Sequence, residues 1–398
     1  MSSALTTPAQ THALYEQLTA FDDTLIDADA RRRALDRFFT LHSGHEKPGR
    51  FWRIDFESLL PPAGAIDPGA AQVSAEHRDS AIVVCDLATA ARKYPELLAR
   101  AFGTSEAAET KFGALARAFA GSGIFTYVPA DHACDEPVVI RYHAGAGAAI
   151  FPWSVVLAER GSRVTVIERI TADAGAFVCG ASEIVSLEHA DVTYAVLQNA
   201  DSQAQILATR SSTPGRDSRM AWNVAEIGGA LAAGDLRVAI EEPGIDAHVT
   251  ALFFPRGSQH VDLINTVDHR AGESTSQTLV KSAARERGQA RFLGNIRIAA
   301  HAQGSDARLR DDALLLSPTA HVDSVPALEI AANDVKAYHG ATVGAIDVDQ
   351  IFYMESRGIS GAAAERMIAL GFFEPAIEHF PTTTLRDEIR AALEAKLA

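Results

Sequence analysis

Cysteine is scarce in this chain of 398 residues, which contains only Cys85, Cys134 and Cys179. No two of them form a C-x-x-C pair, which argues against a zinc ribbon or a four-cysteine cluster site within one chain. An odd and sparse count also differs from the disulfide framework of a small secreted domain. Cys179 follows an alternating apolar run, so we expect it to be a small buried hydrophobe.

Positive charge is also in short supply. The 36 Lys and Arg residues are outnumbered by 51 Asp and Glu residues, and the net charge is -15. Nucleic acids and anionic membranes attract clustered Lys and Arg, so neither is expected as the main partner. Lysine is the rarer of the two cations, with six residues in all. Its presence at position 336 is therefore more informative than it would be in a lysine-rich chain.

Several recognisable segments are missing as well. The start, MSSALTTPAQ, lacks the basic and apolar regions of a signal peptide. The longest run without Asp, Glu, Lys or Arg, residues 142–158, is too short and too broken by Gly and Pro152 to span a bilayer. We therefore expect a cytoplasmic protein. Neither G-x-x-x-x-G-K-[ST] nor G-x-G-x-x-G occurs, so no nucleotide is held by those loops.

The chain begins and ends with helical patterns. ALYEQLTAF (13–21), DADARRRALDRFFTLH (27–42) and residues 89–120 carry apolar residues at helical spacing, and Asp27 or Asp29 is placed to cap the second helix. Asp347 and Gln350 form a capping box, and Gly358 follows where that helix should end. Residues 384–398 form a final amphipathic helix. These patterns predict a mostly helical region over 1–122 and a C-terminal helical domain over 345–398.

Short extended runs fill the middle of the chain. From about residue 123, runs such as SVVLAE, RVTVIERI and HVDLINTV alternate apolar and polar residues and end at Gly, Asp, Asn or Ser. Some 210 residues of this texture exceed a simple sandwich of about 100 residues, whereas a stacked solenoid can be this long. The pattern predicts a mainly β fold with a β-helix core over 123–344; a large β-sandwich is the alternative.

Three local patterns raise chemical hypotheses. His42 and His45 are spaced as a metal-binding pair on one helical turn, although exposed histidines at a helix end are the plainer interpretation. The cluster DHACDE (131–136) is rich in metal-ligand types, but its flanks indicate a loop between strands. A Ser–His–Asp triad could be drawn from the segment 260–276, although no G-x-S-x-G elbow is present. Its candidate members are His260, Asp268, His269, Ser274 and Ser276.

The segment NDVKAYHGATVG (333–344) places Lys336 and His339 where a buried strand would carry Val or Ile. Together with IFYMESRGIS and AAAERMIALGFF it closely resembles the C-terminal region of the SufB/SufD family of iron–sulfur cluster assembly scaffold proteins. QHVDLINTVDHRAGESTS, GQARFLGNIRI and DALLLSPTAHVDSVPALEI match upstream. The clear resemblance covers residues 220–375, and RFWRIDF is similar to an aromatic–basic segment near the start of family members.

The resemblance implies a right-handed β-helix core flanked by helical domains. It also implies two partners: a SufC-like ABC-type ATPase that docks on the C-terminal helices, and a SufB-like chain that pairs through its β-helix. A transient iron–sulfur cluster would form at that pair's interface, with no tightly bound cofactor in the isolated chain. His339-Gly340-Ala341-Thr342 is the SufD form of the motif, whereas RMIALGFFEP leans toward SufB. Ala337 stands where many SufD members have cysteine.

The resemblance also assigns residues. His339 is the candidate cluster or iron ligand, since a neutral imidazole can replace cysteine in some clusters; the alternative is a histidine that only hydrogen-bonds across strand ends. The expected interface motif consists of Asp334, Lys336, Gly340 and Thr342. The expected ATPase-docking residues are Phe352, Tyr353, Arg357 and Gly358, of which Phe352 and Tyr353 could equally be core.

Two other functions compete with a non-enzymatic scaffold subunit. The first is a homodimeric or SufB-like scaffold that acts without a separate SufB, because exposed solenoid strands must be capped or paired. The second is a β-helix carbohydrate enzyme, which would need paired carboxylates and an aromatic-lined groove. Aromatic residues make up only 7% of this chain, which disfavours the enzyme.

Overall fold

The computed structural model describes residues 8–41, 51, 54, 59–61, 64–104 and 110–398. Strands make up 43% of these described residues and form a solenoid of about eight turns with helices at both ends. The helices are α1 (Pro8–Gln17), η1 (Leu18–Ala20), α2 (Ala28–Thr40), α3 (Leu87–Lys93), α4 (Pro95–Ala99), α5 (Lys111–Phe119), α6 (Val348–Ser356), α7 (Gly361–Ile377) and α8 (Thr383–Leu397).

The strands are β1 (Ala71–Glu76), β2 (Val83–Asp86), β3 (Ser122–Val128), β4 (Val138–Ala144), β5 (Ala149–Ile150), β6 (Pro152–Ala158), β7 (Arg163–Ala172), β8 (Phe177–Ser186), β9 (Asp191–Gln198), β10 (Gln205–Pro214), β11 (Arg219–Glu226), β12 (Leu231–Ile240), β13 (Asp246–Phe253), β14 (His260–His269), β15 (Thr275–Ala284), β16 (Gln289–Ile298), β17 (Asp306–Leu315), β18 (His321–Ile330) and β19 (Lys336–Ala345).

The strands form two sheets that the chain visits alternately. The first sheet runs β18-β16-β14-β12-β10-β8-β6-β3-β2, and the second runs β1-β4-β7-β9-β11-β13-β15-β17-β19. Strands two apart in sequence are parallel neighbours, so Leu231 pairs with His260 and His260 with Gln289. This stacking of successive turns confirms the predicted solenoid over the sandwich. Both faces of most strands are covered, as is usual for parallel sheets.

The turns between strands stack into columns. Asp217 N–H donates to the carbonyl of Pro243 in the next turn, and Gly244 N–H donates to that of Glu273 in the turn after. Gly244 has φ +77°, and a Cβ atom there would lie 1.9 Å from Oδ1 of Asp217. A side chain at this position would clash and also strain the backbone. Glycine at such corners lets each turn settle directly on the previous one.

Buried apolar side chains form three clusters. The solenoid interior is filled by residues such as Val192, Trp222 and Phe292. The N-terminal helices, α5 above all, cover the outer face of the first sheet, where Phe112 and Trp153 are buried. Helices α7 and α8 cover the outer face of the second sheet. The terminal helices therefore lie on opposite faces of the solenoid.

The beginning of the solenoid is closed by the N-terminal region. Two strands of that region, β1 and β2, pair antiparallel with β4 and β3 and complete one end of each sheet. Asp27 caps α2 by accepting a hydrogen bond from the N–H of Ala30 at 2.7 Å. Among the described residues, no helix is long and apolar enough to cross a membrane.

Candidate functional site

The far end of the solenoid is open. β18 and β19 are the last strands of the two sheets, and within the described ranges no strand pairs with their outer edges. Ile330, Tyr338 and Val343 expose 40%, 58% and 45% of their surfaces there. An edge strand presents unpaired N–H and C=O groups to any suitable chain. Pro326 removes one donor from β18, whereas β19 contains no proline and offers a complete ladder.

His339 lies in the middle of β19, opposite Leu309 of β17. It is exposed, and none of the described residues forms a hydrogen bond or ion pair with its imidazole. This geometry disfavours a histidine that merely hydrogen-bonds across strand ends. A solvent-facing imidazole on an unpaired edge can instead offer a nitrogen lone pair to an iron atom or to a partner chain.

A groove of about 560 Å³ runs along the second sheet beside this edge; we call it the histidine groove. His248, His339 and His379 line it together with Tyr338 and Thr342. No sequence pattern marks His248 and His379 as neighbours, because they lie on β13 and after α7, far apart in the chain. Nδ1 of His379 is 2.7 Å from Oγ1 of Thr250. Burial, with the nearby His248, lowers the pKa of His379 and favours its neutral form.

The remaining motif residues have different roles. The backbone carbonyl of Asp334 accepts a hydrogen bond from the N–H of Gly304 at 2.7 Å. Asp334 therefore ties the last turn of the solenoid to the turn before it through its backbone. Lys336 is exposed at the start of β19, opposite Asp306. Thr342 lines the histidine groove. A Cβ added to Gly340 would meet no heavy atom within 4 Å, so packing inside the chain does not require glycine there.

Buried carboxylates lie one strand beneath the open edge. Asp311 of β17 accepts a hydrogen bond from Ser324 of β18, which ties the two sheets together in the last complete turn. Burial raises the pKa of Asp311 to about 6. Asp312 accepts from Lys281 at 2.8 Å. Among the described residues that line the histidine groove, Asp312 is the one carboxylate, whereas a glycosidase needs two across its substrate.

The three cysteines lie away from His339. Cys85 is on β2, and Cys134 precedes β4, near the closed end of the sheets. Cys179 is fully buried on β8, and burial raises the pKa of its thiol well above the ordinary range. No thiolate of this chain therefore reaches the open edge from these positions, and a cluster bound by His339 would need ligands from another chain.

The Ser–His–Asp hypothesis fails on burial. Nε2 of His269 is 2.8 Å from Oγ of Ser276, but both residues are at most 1% exposed. Asp268 instead accepts from Arg270 at 2.9 Å, and Nδ1 of His269 has no hydrogen-bond partner among the described residues. A substrate cannot reach this pair, so it is part of the solenoid interior. His42 and His45 lie outside the described residues.

The burial of His269 predicts a pH effect. Desolvation lowers the pKa of His269 from 6.5 to about 4, so the unfolded chain binds the extra proton more readily. The stability supplied by this neutral imidazole is present above pH 6.5 and is lost as the pH falls toward 4. Between about pH 7 and pH 5 the loss is about 2 kcal/mol. Urea unfolding of the wild type and His269→Gln at both pH values measures it.

The comparison isolates His269 from other titrating groups. Asp311, whose raised pKa of about 6 shifts stability in the opposite direction over this range, is present in both proteins and cancels. Identical pH profiles for the wild type and the variant would show that His269 does not carry the effect.

Helix α6 contains no buried residue. Val348, Phe352 and Tyr353 expose 76%, 72% and 59% of their surfaces, and Met367 of α7 exposes 55%. The guanidinium of Arg357 lies 5.2 Å from the ring centroid of Tyr353. These apolar residues, which we call the α6 patch, are too exposed to be core. Gly358, with φ +85°, ends the helix beside them.

Comparisons with known proteins agree with this architecture. A family profile described as "SUF system FeS cluster assembly, SufBD core domain" matches residues 141–372, and one described as "SufBD protein N-terminal region" matches residues 70–140. The iron-sulfur cluster assembly protein SufD of Bacillus subtilis (strain 168) is 27% identical over 337 residues, covering 83% of this chain and 77% of that protein.

Two further relatives come from staphylococci. Iron-sulfur cluster assembly SufBD family proteins of Staphylococcus saprophyticus and Staphylococcus aureus (strain MRSA252) are each 26% identical over 311 residues. Each alignment covers 77% of this chain and 67% of the relative. The matched profiles together span the stacked sheets, the open edge with His339 and the α6 patch.

Proposed function

Because the chain belongs to the SufB/SufD family of the SUF iron–sulfur cluster assembly system and is most similar in motif to its SufD branch, we propose that it is a non-catalytic scaffold subunit of a cluster assembly complex. The observation that carries the proposal is an exposed imidazole on an unpaired strand edge at one end of the solenoid. In this proposal the protein works in the cytoplasm and holds no resident cofactor when isolated.

The first proposed partner is a SufB-like chain. β19 supplies a ladder of free N–H and C=O groups without proline, and Tyr338 and Val343 add apolar surface beside it. Pairing along this edge would satisfy the backbone groups and bury the exposed side chains. The nascent cluster is cargo at the junction: His339 contributes one ligand, and the partner contributes the thiolates that this chain lacks there.

The second proposed partner is a SufC-like ABC-type ATPase. The α6 patch is apolar, is formed mainly by α6 with Met367 of α7, and is flanked by the cation of Arg357. An exposed apolar patch of this kind is typical of a protein–protein interface. Because α6 packs against α7, and α7 lies on β13 and β15, a partner bound at α6 would be linked through α7 to strands that carry the histidine groove.

Replacing His339 tests the ligand role. We expect His339→Ala to pair with the SufB-like chain normally but to assemble clusters at least about tenfold more slowly, the usual scale of effect when a metal-site contact is removed. Iron content and visible absorbance of the reconstituted complex measure the rate, and a sizing column measures pairing. His321→Ala, on the same open edge and paired with Asp323 at 2.9 Å, is the matched control.

Each outcome has a definite meaning. Wild-type assembly by His339→Ala defeats the ligand role. If both His339→Ala and His321→Ala lose pairing with the SufB-like chain, the two histidines act as interface contacts, and a ligand role for His339 is not supported.

A homodimeric scaffold without SufB is the second candidate, because the same open edge can pair with a second copy. The sizing column separates the two: a dimer that forms alone and persists when the SufB-like chain is added favours the homodimer.

A further inference from the structure

Three side chains of metal-binding type meet near the closed end of the solenoid. Asp79 lies between β1 and β2, whereas His132 and Cys134 lie between β3 and β4. One ligand atom from each residue lies within 4.8 Å of the other two. Nε2 of His132 and Oδ2 of Asp79 are 2.6 Å apart. The three residues come together because the strands that flank them are neighbours at the same end of the sheets.

The backbone fixes two of these side chains side by side. Ala133 forms a parallel bridge with Arg163, the N–H of Cys134 donates to the carbonyl of Arg163, and the N–H of Arg163 donates to that of His132, each at 2.8 Å. In an extended segment, residues i and i+2 point to the same face. The imidazole and the thiol are therefore held on one side before any ligand arrives.

The third group is oriented by its own turn. Oδ1 of Asp79 accepts from the N–H of Ala81 at 2.9 Å, which leaves Oδ2 facing His132. Cys134 is 9% exposed and forms the base of the cluster. The side chains of His132 and Asp79 are 29% and 24% exposed and form its mouth. An ion can thus enter from solvent and reach a buried sulfur.

We propose that Asp79, His132 and Cys134 bind a borderline divalent transition-metal ion, Zn²⁺ or Fe²⁺, with three protein ligands and one open position. Carboxylate oxygen, imidazole nitrogen and thiolate sulfur are the ligand types of such ions. Tetrahedral Zn²⁺ holds ligand atoms about 3.3–3.6 Å apart, so the 2.6 Å contact between Asp79 and His132 has to open by less than about 1 Å to admit the ion. Binding displaces the thiol proton of Cys134 to solvent and leaves the sulfur as thiolate.

The site is independent of the proposed scaffold function. It lies at the opposite end of the sheets from His339 and uses none of the open edge. The competing interpretation is that Asp79 and His132 form a hydrogen-bonded pair with no affinity for metal. The thiol of Cys134 also hydrogen-bonds to the carboxylate of Asp79, so three groups of metal-ligand type converge on one point, which favours the metal site.

Metal titration of the purified chain tests the proposal. We expect Zn²⁺ to bind at one site by calorimetry, and Co²⁺ at that site to give a thiolate-to-metal charge-transfer band. Cys134→Ser should abolish the band and weaken Zn²⁺ binding at least about tenfold, since loss of an outer-shell partner alone costs about 10- to 100-fold. Cys85→Ser, which removes a free cysteine on the adjoining strand β2, is the matched control and should change neither signal.

A second variant guards against misfolding. Asp79→Asn keeps the size of a partly exposed side chain and should weaken Zn²⁺ binding while the circular dichroism spectrum stays that of the wild type. A wild-type chain without a cobalt–thiolate band, or a folded Cys134→Ser protein with wild-type Zn²⁺ affinity, overturns the proposal.

Discussion

Replacing Arg291 with methionine is expected to lower the free energy of unfolding by about 3–5 kcal/mol, the usual result of stranding one partner of a buried ion pair. Nη1 of Arg291 lies 3.1 Å from Oδ1 and 3.3 Å from Oδ2 of Asp262. The two side chains are 1% and 0% exposed. The two residues are register partners on β16 and β14, so the pair links successive turns of the stack.

The double variant is the sharper experiment. Asp262→Leu combined with Arg291→Met removes both charges, and an apolar pair of similar volume restores much of the lost stability. Arg297→Met is the matched surface control: its partner Glu329 is 3.1 Å away, and both side chains are about half exposed. Arg297→Met should lower the free energy of unfolding by less than about 1 kcal/mol. Chemical denaturation of the wild type, Asp262→Leu, Arg291→Met and the double variant measures the cycle, with Arg297→Met alongside. A double variant less stable than either single variant would contradict the explanation.

The solenoid was predictable because its sequence signal is local and repeated. Runs such as RVTVIERI carry period-2 alternation between short turns, and β7 (Arg163–Ala172) contains that whole run. Each turn of a stack contacts only its neighbours, so the same pattern must recur. The prediction of mainly β structure with a solenoid core is confirmed for that reason.

The closing strand β1 of the N-terminal region is harder to predict from the sequence. β1 reads AQVSAE, and its burial alternates along the strand, but two of its three inward residues are alanines with weak strand preference. Its partner β4 lies far along the chain, since Ala71 pairs with Ala144, 73 residues later. A pairing of such separation leaves no mark in either segment alone.

The candidate sites divide in the same way. The open edge at His339 could be located because a motif marks it, although exposure and the lack of a hydrogen-bond partner could only come from the folded chain. The histidine groove and the Asp79–His132–Cys134 cluster depend on residues brought together from distant segments. The segment DHACDE contains two of the three residues of that cluster, His132 and Cys134, and the fold brings in the third, Asp79, from the loop before β2.

The α6 patch gives the other large expected effect. We expect Phe352→Ser to weaken binding of a SufC-like ATPase by at least about 30-fold, because a central aromatic residue of an interface is commonly worth about 2 kcal/mol or more. Phe352 is 72% exposed, so its removal leaves no internal cavity and should not change the stability of the isolated chain. Calorimetry with the purified ATPase measures the affinity, and thermal unfolding verifies the fold.

Tyr338→Ser is the crossed control, because Tyr338 is also exposed and aromatic but lies on the open edge. It should weaken pairing with the SufB-like chain and leave ATPase binding unchanged, whereas Phe352→Ser should do the reverse. Arg357→Glu, which places a negative charge beside Tyr353, should act like Phe352→Ser. Wild-type ATPase affinity in both α6 variants would remove the patch from the proposal. If Tyr338→Ser weakens only pairing with the SufB-like chain and Phe352→Ser weakens only ATPase binding, the solenoid end and helix α6 serve different partners.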